Sequence, residues 1–180
     1  MLILKKLPLF IRIWIIFFFV SIVLVGLIYL AVQQNFRQGA NDPQIQIVQD
    51  TISALEKGQS PQTLVGTTYI DLSKSLSPFL IIFDEQGKAI SSQTTLNNQI
   101  PTPPSGVFDF ARIHGEDRFT WQPQDGIREA AIVKHYQNGF VLVGRSLIEV
   151  EKRVEKLLFE VATVWVISML GSLSLSFILL

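Results

Sequence analysis

The sequence predicts an α+β fold: an antiparallel sheet of about five strands with flanking helices, placed between two transmembrane helices. Two uncharged runs of 20 residues, at 13–32 and 161–180, predict the membrane spans. At about 1.5 Å per helical residue, each run is long enough to cross a hydrocarbon core. The segment between them is more polar and alternates short apolar stretches with turn signals, which is typical of a folded domain.

Composition narrows the classes of function. The formal net charge is zero, which argues against a nucleic-acid partner because such partners usually require a basic surface. The chain has no cysteine, so disulfides, thiolate metal sites and a cysteine nucleophile are excluded. Charged residues make up only 17%, below the roughly 25% of soluble domains, which indicates that part of the chain lies in lipid.

The basic residues near the N-terminus predict the orientation. Lys5, Lys6 and Arg12 precede the first span, so the positive-inside rule places the N-terminus in the cytoplasm and the following segment outside. The first apolar run exceeds the length of a signal-peptide core and no small-residue cleavage site follows it, so it is expected to remain attached. The predicted plan has five segments. They are a cytoplasmic N-terminus (1–12), a first span (13–34), an extracytoplasmic domain (35–145), a juxtamembrane signalling helix (146–160) and a second span (161–180).

The first half of the predicted domain begins with a helix and continues with a hairpin. Asp42-Pro43 is a helix-start signal, apolar residues follow at helical spacing, and Gly58 supplies the stop. Residues 79–83 are apolar at every position, which predicts a strand covered on both faces. A turn at 84–87 leads to a second, more polar strand.

The second half is predicted to be a helix followed by three strands. A short helix spans 107–113, with Ser105 as its cap and Gly115 as its terminator. Strands follow at 118–122, 127–136 and 140–145, and the tight-turn sequences Gln124-Asp125-Gly126 and Gln137-Asn138-Gly139 separate them.

The order of these parts resembles the extracytoplasmic PAS-like or Cache-type sensor domains of bacterial histidine kinases and chemoreceptors. The resemblance is carried by FLIIFDEQGKAISS (79–92), PPSGVFDFARIHGE (103–116), RFTWQPQDGIREAAIVKH (118–135) and GFVLVGRSLIEVEKRVEKL (139–157). It implies the input region of a two-component kinase, whose last strand continues into an outgoing helix and the second span. The sequence includes no HAMP linker, phosphoacceptor helix or ATP-binding domain, so the chain is expected to be non-enzymatic.

Motifs for chemistry are absent from the sequence. It contains no phosphate-binding loop, no nucleophile elbow and no zinc-protease helix, and no cofactor is expected. His114 lies near Asp109, Glu116 and Asp117, but their spacing matches no known metal-ligand motif. A surface imidazole at a helix C-terminus is the favoured interpretation, and no metal site is predicted.

Several aromatic and charged residues could form a small-molecule site on one face of the sheet. Its predicted residues combine apolar walls with polar anchors, as ligand sites do; they are Tyr69, Arg112, Trp121, Arg128, His135 and Tyr136. The competing interpretation, that Trp121 is core and the arginines are solvated, is favoured because strand aromatics usually pack.

A helical seam in the C-terminal segment is the most informative pattern. Apolar residues recur every three or four positions and then give way to small residues, the combination that lets helices associate first in water and then in lipid. The seam consists of Leu147, Val150, Val154, Leu157, Val161, Val164, Ser168, Gly171 and Ser172. Association with another helix is favoured over packing of the same stripe against the chain's own domain.

These observations predict a sensor or accessory protein that acts laterally on a membrane partner. The expected partners are the lipid bilayer and either a second copy of the chain or a membrane kinase, with an unidentified small molecule as a further candidate. The alternatives are a remnant of a histidine kinase that lost its catalytic half and a structural membrane assembly factor.

Overall fold

The structure is a computed structural model that describes residues 8–39 and 42–178. Within these ranges the chain forms two compact units, a helical unit of residues up to 36 and from 152, and a central domain of residues 37–151. Lys5 and Lys6, on which part of the orientation argument rests, lie outside the described residues.

Twelve elements are described. In chain order they are α1 (Leu9–Gly39), α2 (Asp42–Glu56), α3 (Pro61–Val65), β1 (Ile70–Asp71), β2 (Phe79–Phe83), β3 (Ala89–Ser92), β4 (Thr94–Thr95), α4 (Ser105–His114), β5 (Glu116–Gln124), β6 (Ile127–Tyr136), β7 (Gly139–Ser146) and α5 (Ile148–Ile178).

The helical unit contains two helices that are long and apolar enough to cross a membrane, at Leu9–Phe36 and Ile148–Ser176. Their contacts run in opposite directions along the two helices, because Trp14 pairs with Ser172 and Ser21 pairs with Trp165. The helices therefore pack as an antiparallel pair. The predicted presence of two helices long and apolar enough to cross a membrane is confirmed.

The central domain is built on a five-stranded antiparallel sheet with the order β3-β2-β7-β6-β5. This confirms the predicted α+β class and the number of strands. The central pair is β2 and β7, in register from Phe79 opposite Gly144 to Phe83 opposite Phe140. All five residues of β2 are buried, as an apolar run in a strand covered on both faces requires.

Helices cover both faces of the sheet. We call the side that packs against α4 the α4 face; α4 covers it together with the short parallel pair of β1 and β4. The other side, the α2 face, is covered by α2 and α3, which contribute Val48 and Val65 to its core. Side chains alternate between the two faces along each strand, so neighbours in sequence belong to different cores.

Two details differ from the sequence-based predictions. Pro104, not Ser105, holds the cap position of α4, and no side chain caps that helix; Ser105 is its first residue. The termination at Gly115 is confirmed, with φ 88° and its N–H bonded to the Ala111 carbonyl at 2.8 Å. The structure also adds α3 and the β1–β4 pair, which the sequence analysis did not predict.

Candidate functional site

The residues predicted to bind a small molecule do not form one group. Trp121 lies in the core of the α4 face and Tyr136 in the core of the α2 face. Tyr69 is 77% exposed just before β1. Arg128 forms an ion pair with Glu151 at the start of α5. Arg112 and His135 do come together, around the turn between β2 and β3.

The contact between Arg112 and His135 is made through Glu85 on that turn. His135 Nε2 lies 3.0 Å from Glu85 Oε1, and Arg112 donates to the Glu85 carbonyl at 3.0 Å and approaches its carboxylate at 3.8 Å. The Arg112 guanidinium also lies 5.2 Å from the centre of the Phe140 ring and pairs with Asp109 at 2.8 Å. Arg112 is therefore shared between Asp109 and Glu85, and the cluster fastens α4 to the β2–β3 hairpin.

Two of the three carboxylates that lie near His114 in the sequence, Asp109 and Glu116, pair with arginines instead. Asp109 binds Arg112, Glu116 binds Arg118, and the His114 ring contacts the Phe110 carbonyl and stacks on the Phe110 ring. Among residues 8–39 and 42–178, no group of three or more His, Asp or Glu side chains is placed to hold a metal ion.

The connection between β7 and α5 is short and tightly held. Only Leu147 separates the two elements. Its N–H donates to the Arg128 carbonyl on β6 at 2.9 Å, and its side chain forms a small apolar cluster with Ala130 and Val150. With the Arg128–Glu151 ion pair, these contacts attach the first turn of α5 to β6. We call this set of contacts the α5 junction.

The α5 junction also uses the first two residues of the predicted association seam. Leu147 and Val150 pack against Ala130 of their own domain, as in the alternative interpretation of the stripe. The remaining seam residues are in the helical unit, where their exposure differs. Half-buried are Val154, Leu157, Val161 and Ser172, and exposed are Val164, Ser168 and Gly171.

In the membrane half of α5, the face that contacts α1 carries Trp165, Met169 and Ser172. Trp165 donates to Ser21 at 3.1 Å and its ring centre lies 5.2 Å from that of Phe18, while Ser172 accepts from Trp14 at 3.0 Å. Of these three residues only Ser172 belongs to the predicted seam, while the seam residues Val164, Ser168 and Gly171 lie on an exposed face of α5. Association through those three stays a prediction.

The most unusual residue of the central domain is Glu129, which the sequence analysis did not single out. It lies on β6 and is fully buried, with 0% of its surface exposed. Neither carboxyl oxygen has a hydrogen-bond partner among the described residues. It pairs across the sheet with Trp121 on β5 and Ser146 on β7, so it belongs to the α4 face.

The surroundings of Glu129 favour its neutral form. Burial away from water raises the pKa of the Glu129 carboxyl from an ordinary 4.5 to about 8. Strongly shifted pKa values are concentrated at functional sites, and packing alone is served better by an apolar residue, so Glu129 is a candidate functional residue.

Two more buried polar side chains lack partners within the described part of the chain. Thr94 on β4 is paired with Ile70, whose side chain packs on the core of the α4 face, so the Thr94 hydroxyl is directed toward the same core. Gln44 on α2 is also fully buried, and neither atom of its amide is bonded. Buried polar groups are normally satisfied, so such groups mark places where water or a ligand can act.

An open groove of about 540 Å³ lies at the end of the α4 face. Its lining comes from the loop after β4 and the end of β5, and consists of Leu96, Asn97, Gln99, Ile100, Pro101, Thr102, Pro123 and Gln124. These side chains carry no charge, so the groove suits a neutral molecule better than an ion.

Comparison with known proteins gives no relative to which a site could be transferred: no family model, curated protein or solved structure matches the chain. The candidate site is therefore defined by geometry alone, as Glu129 with its neighbours on the α4 face and the adjoining α5 junction.

Proposed function

We propose that this chain is a membrane-anchored, non-enzymatic sensor or accessory protein. Its central domain is an extracytoplasmic PAS-like input domain, and its signal passes through α5 to a membrane partner, either a second copy or a histidine kinase. The observation that carries the proposal is the α5 junction, where a buried strand continues after one residue into a helix long enough to cross a membrane.

The α5 junction supports signal transfer because its contacts come from the sheet and not from a loop. Arg128 and Ala130 lie on β6, and their partners Glu151 and Val150 lie in the first turns of α5. A displacement of the end of β6 or β7 therefore changes the position of these turns directly. A continuous helix of 31 residues can carry a shift or rotation along its length.

The arrangement of the domain supports the PAS-like assignment. The parts on which the resemblance rests are present in order: a helix, a strand hairpin, a helix across one face and a three-stranded meander. The last strand, β7, lies at the centre of the sheet between β2 and β6. The strand that leads to α5 therefore contributes side chains to the cores of both faces of the sheet.

The orientation belongs to the same proposal. The Lys5, Lys6 and Arg12 bias favours a cytoplasmic N-terminus. With α1 and α5 packed antiparallel, the chain between them is then extracytoplasmic.

The proposal is tested by loosening the α5 junction in the full chain, in lipid vesicles. A spin label on a single cysteine at Leu157, beyond the junction in the helical unit, reports motion of α5. We expect Arg128→Ala to change the mobility of this label, and Arg118→Ala to leave it unchanged, because Arg118 makes its ion pair with Glu116 on the edge strand β5.

Unlabelled chains with single cysteines placed one at a time along 147–172 are cross-linked in the same vesicles. Cross-links between copies, or to a kinase added to the vesicles, should recur every three or four residues. A label unaffected by Arg128→Ala, together with an aperiodic cross-linking pattern, would leave α5 as an anchor and favour the remnant or assembly-factor interpretation.

A further inference from the structure

Glu129 is a group that packing does not explain. An ionised carboxylate without a hydrogen bond or counter-charge is strongly disfavoured in an apolar core, so the folded domain holds this side chain in its protonated form. The simplest ligand that a fully buried carboxyl can bind is the proton. Binding a proton requires no cavity.

Among the described residues, no charged group on the elements that surround Glu129 compensates it. Its cross-strand partners, Trp121 and Ser146, are uncharged. Arg128, the preceding residue on β6, lies on the α2 face of the sheet and pairs with Glu151. Arg145 on β7 also lies on the α2 face and is exposed.

The titratable groups on the α4 side are remote or bonded elsewhere. Asp117 on β5 and His135 on β6 share the face of Glu129, but they lie about 13 Å and about 20 Å from it along the strands. On α4, Asp109 and Arg112 bond each other and His114 bonds Phe110. Beside β1, Asp71 alternates with the inward Ile70 and Leu72, and binds Ser73 and Lys74.

The position of Glu129 connects it to the α5 junction. Its neighbours on β6, Arg128 and Ala130, are the two residues that attach α5 to the sheet. Its partner across β7, Ser146, accepts a hydrogen bond from the N–H of Ile148, the first residue of α5, at 3.3 Å. Glu129 is therefore next in sequence to, or paired across the sheet with, a residue of each of these contacts.

We propose that Glu129 is the proton-sensing site of this domain, and that release of its proton loosens the α5 junction. The O–H bond of the carboxyl breaks, the proton passes to bulk water or hydroxide, and the electron pair remains on the carboxylate. The new charge must be hydrated, so water enters at the Glu129–Ser146 pair and separates the ends of β6 and β7. The last step, movement of α5, rests on the function proposed above.

The burial-raised pKa of about 8 places this event at mildly alkaline pH. Below that pH the junction is closed and above it the junction is loosened. The proposed signal is therefore external alkalinisation, a change that a buried carboxyl reports and an exposed one with an ordinary pKa does not.

The experiment is a pH titration of the full chain in lipid vesicles, from about pH 6 to about pH 10. Infrared spectroscopy follows the band of the protonated carboxyl, and the spin label at Leu157 follows α5. We expect both signals to change together with a midpoint near pH 8, and both changes to be absent in Glu129→Gln, a neutral side chain of the same shape. Glu116→Gln, at an exposed ion pair on β5, is the matched control and should titrate like the wild type.

A second measurement covers the case in which Glu129→Gln does not fold. Trp121 fluorescence in a Trp14→Phe/Trp165→Phe background reports the environment beside Glu129 in a chain that retains the carboxyl, and it should change with the same midpoint. Loss of the carboxyl band near pH 4.5, or an unchanged transition in a folded Glu129→Gln chain, would overturn the proposal.

The Arg128→Ala chain separates the two proposals. If Arg128→Ala moves the label on α5 but pH does not, the proton site fails and the sensor function stands. If the carboxyl titrates near pH 8 but neither pH nor Arg128→Ala moves the label, the function proposed for α5 fails.

Discussion

At the scale of single residues, Gly144 on β7 is a position in the sheet with no room for a side chain. A Cβ at this position would lie 2.3 Å from the Phe79 ring, which occupies the space above Gly144 on the α4 face. The absence of a side chain on one central strand therefore allows a large aromatic residue on the other.

This arrangement predicts that Gly144→Ala destabilises the domain by about 1–3 kcal/mol, because Phe79 must leave its rotamer or the strands must separate. Gly106→Ala is the control, since nothing described lies within 4 Å of its Cβ and alanine favours the helix α4 that contains it. Urea unfolding of both variants measures the effect. A neutral Gly144→Ala, or failure of Phe79→Leu to restore part of the loss, would contradict it.

Glu129 predicts how stability depends on pH. Its pKa is about 8 in the folded chain against an ordinary 4.5, so between these values the folded state retains a proton that the unfolded state has lost. The free energy of unfolding should therefore fall as pH rises from about 5 to about 8, by about 1.4 kcal/mol per pH unit.

Urea unfolding at a series of pH values, followed by Trp121 fluorescence with Trp14 and Trp165 replaced by phenylalanine, measures this slope. Glu129→Gln should remove it. A wild-type chain whose stability is constant across this range would mean that Glu129 is ionised in the folded state.

The sequence contained a signal for Glu129 that a search for catalytic motifs does not detect. Glu129 shares the strand parity of Ile127, Ala131 and Val133, all of which are buried, so the alternation in β6 placed a carboxyl in an apolar series. The sequence could not show that Glu129 lacks a hydrogen-bond partner. Its neighbours across the sheet depend on the register of β5 and β7.

At the scale of elements, strong local patterns predicted the long helices, the hairpin and the three-stranded meander. The helix α3 was missed although Ser60 and Pro61 give the same start signal as Asp42 and Pro43; its five residues are too few to show a helical period. The pair of β1 and β4 was missed because two-residue strands have no alternation, and the register between them is set by packing against the α4 face.

The exposed face of α5 predicts association with another helix. In the described chain no atom beyond the helix itself and adjacent residues lies within 4 Å of a Cβ placed at Gly171, so leucine fits there without disturbing the contact between α1 and α5. Gly171→Leu should weaken association between chains by roughly tenfold, about 1.4 kcal/mol, by holding the backbones apart.

Leu170→Ala, at a neighbouring exposed position, should have little effect on that association. Single-cysteine cross-linking in membranes measures both variants. Equal cross-linking of the wild type and Gly171→Leu would mean that this face contacts lipid alone.

At the scale of the whole molecule, orientation can be tested with a single thiol because the chain has no cysteine. Asn138, exposed in the turn between β6 and β7, should react as cysteine with a membrane-impermeant reagent in intact cells. Cysteine at Leu9, at the start of α1, should react only after lysis. The reverse pattern would place the central domain in the cytoplasm and remove it from external signals.

The central position of β7 also has a consequence for the order of folding. Phe79 on β2 pairs with Gly144 on β7, so the two strands meet across 65 residues of chain. Until β7 has been synthesised, β2 has one unpaired edge and both apolar faces incomplete, a state that favours aggregation. Because α5 follows β7 after a single residue, the proposed entry of the second helix into lipid would come directly before or after completion of the sheet. With α5 inserted as proposed, a delay in either step would slow the other, and the folding rate of the domain would be coupled to membrane insertion.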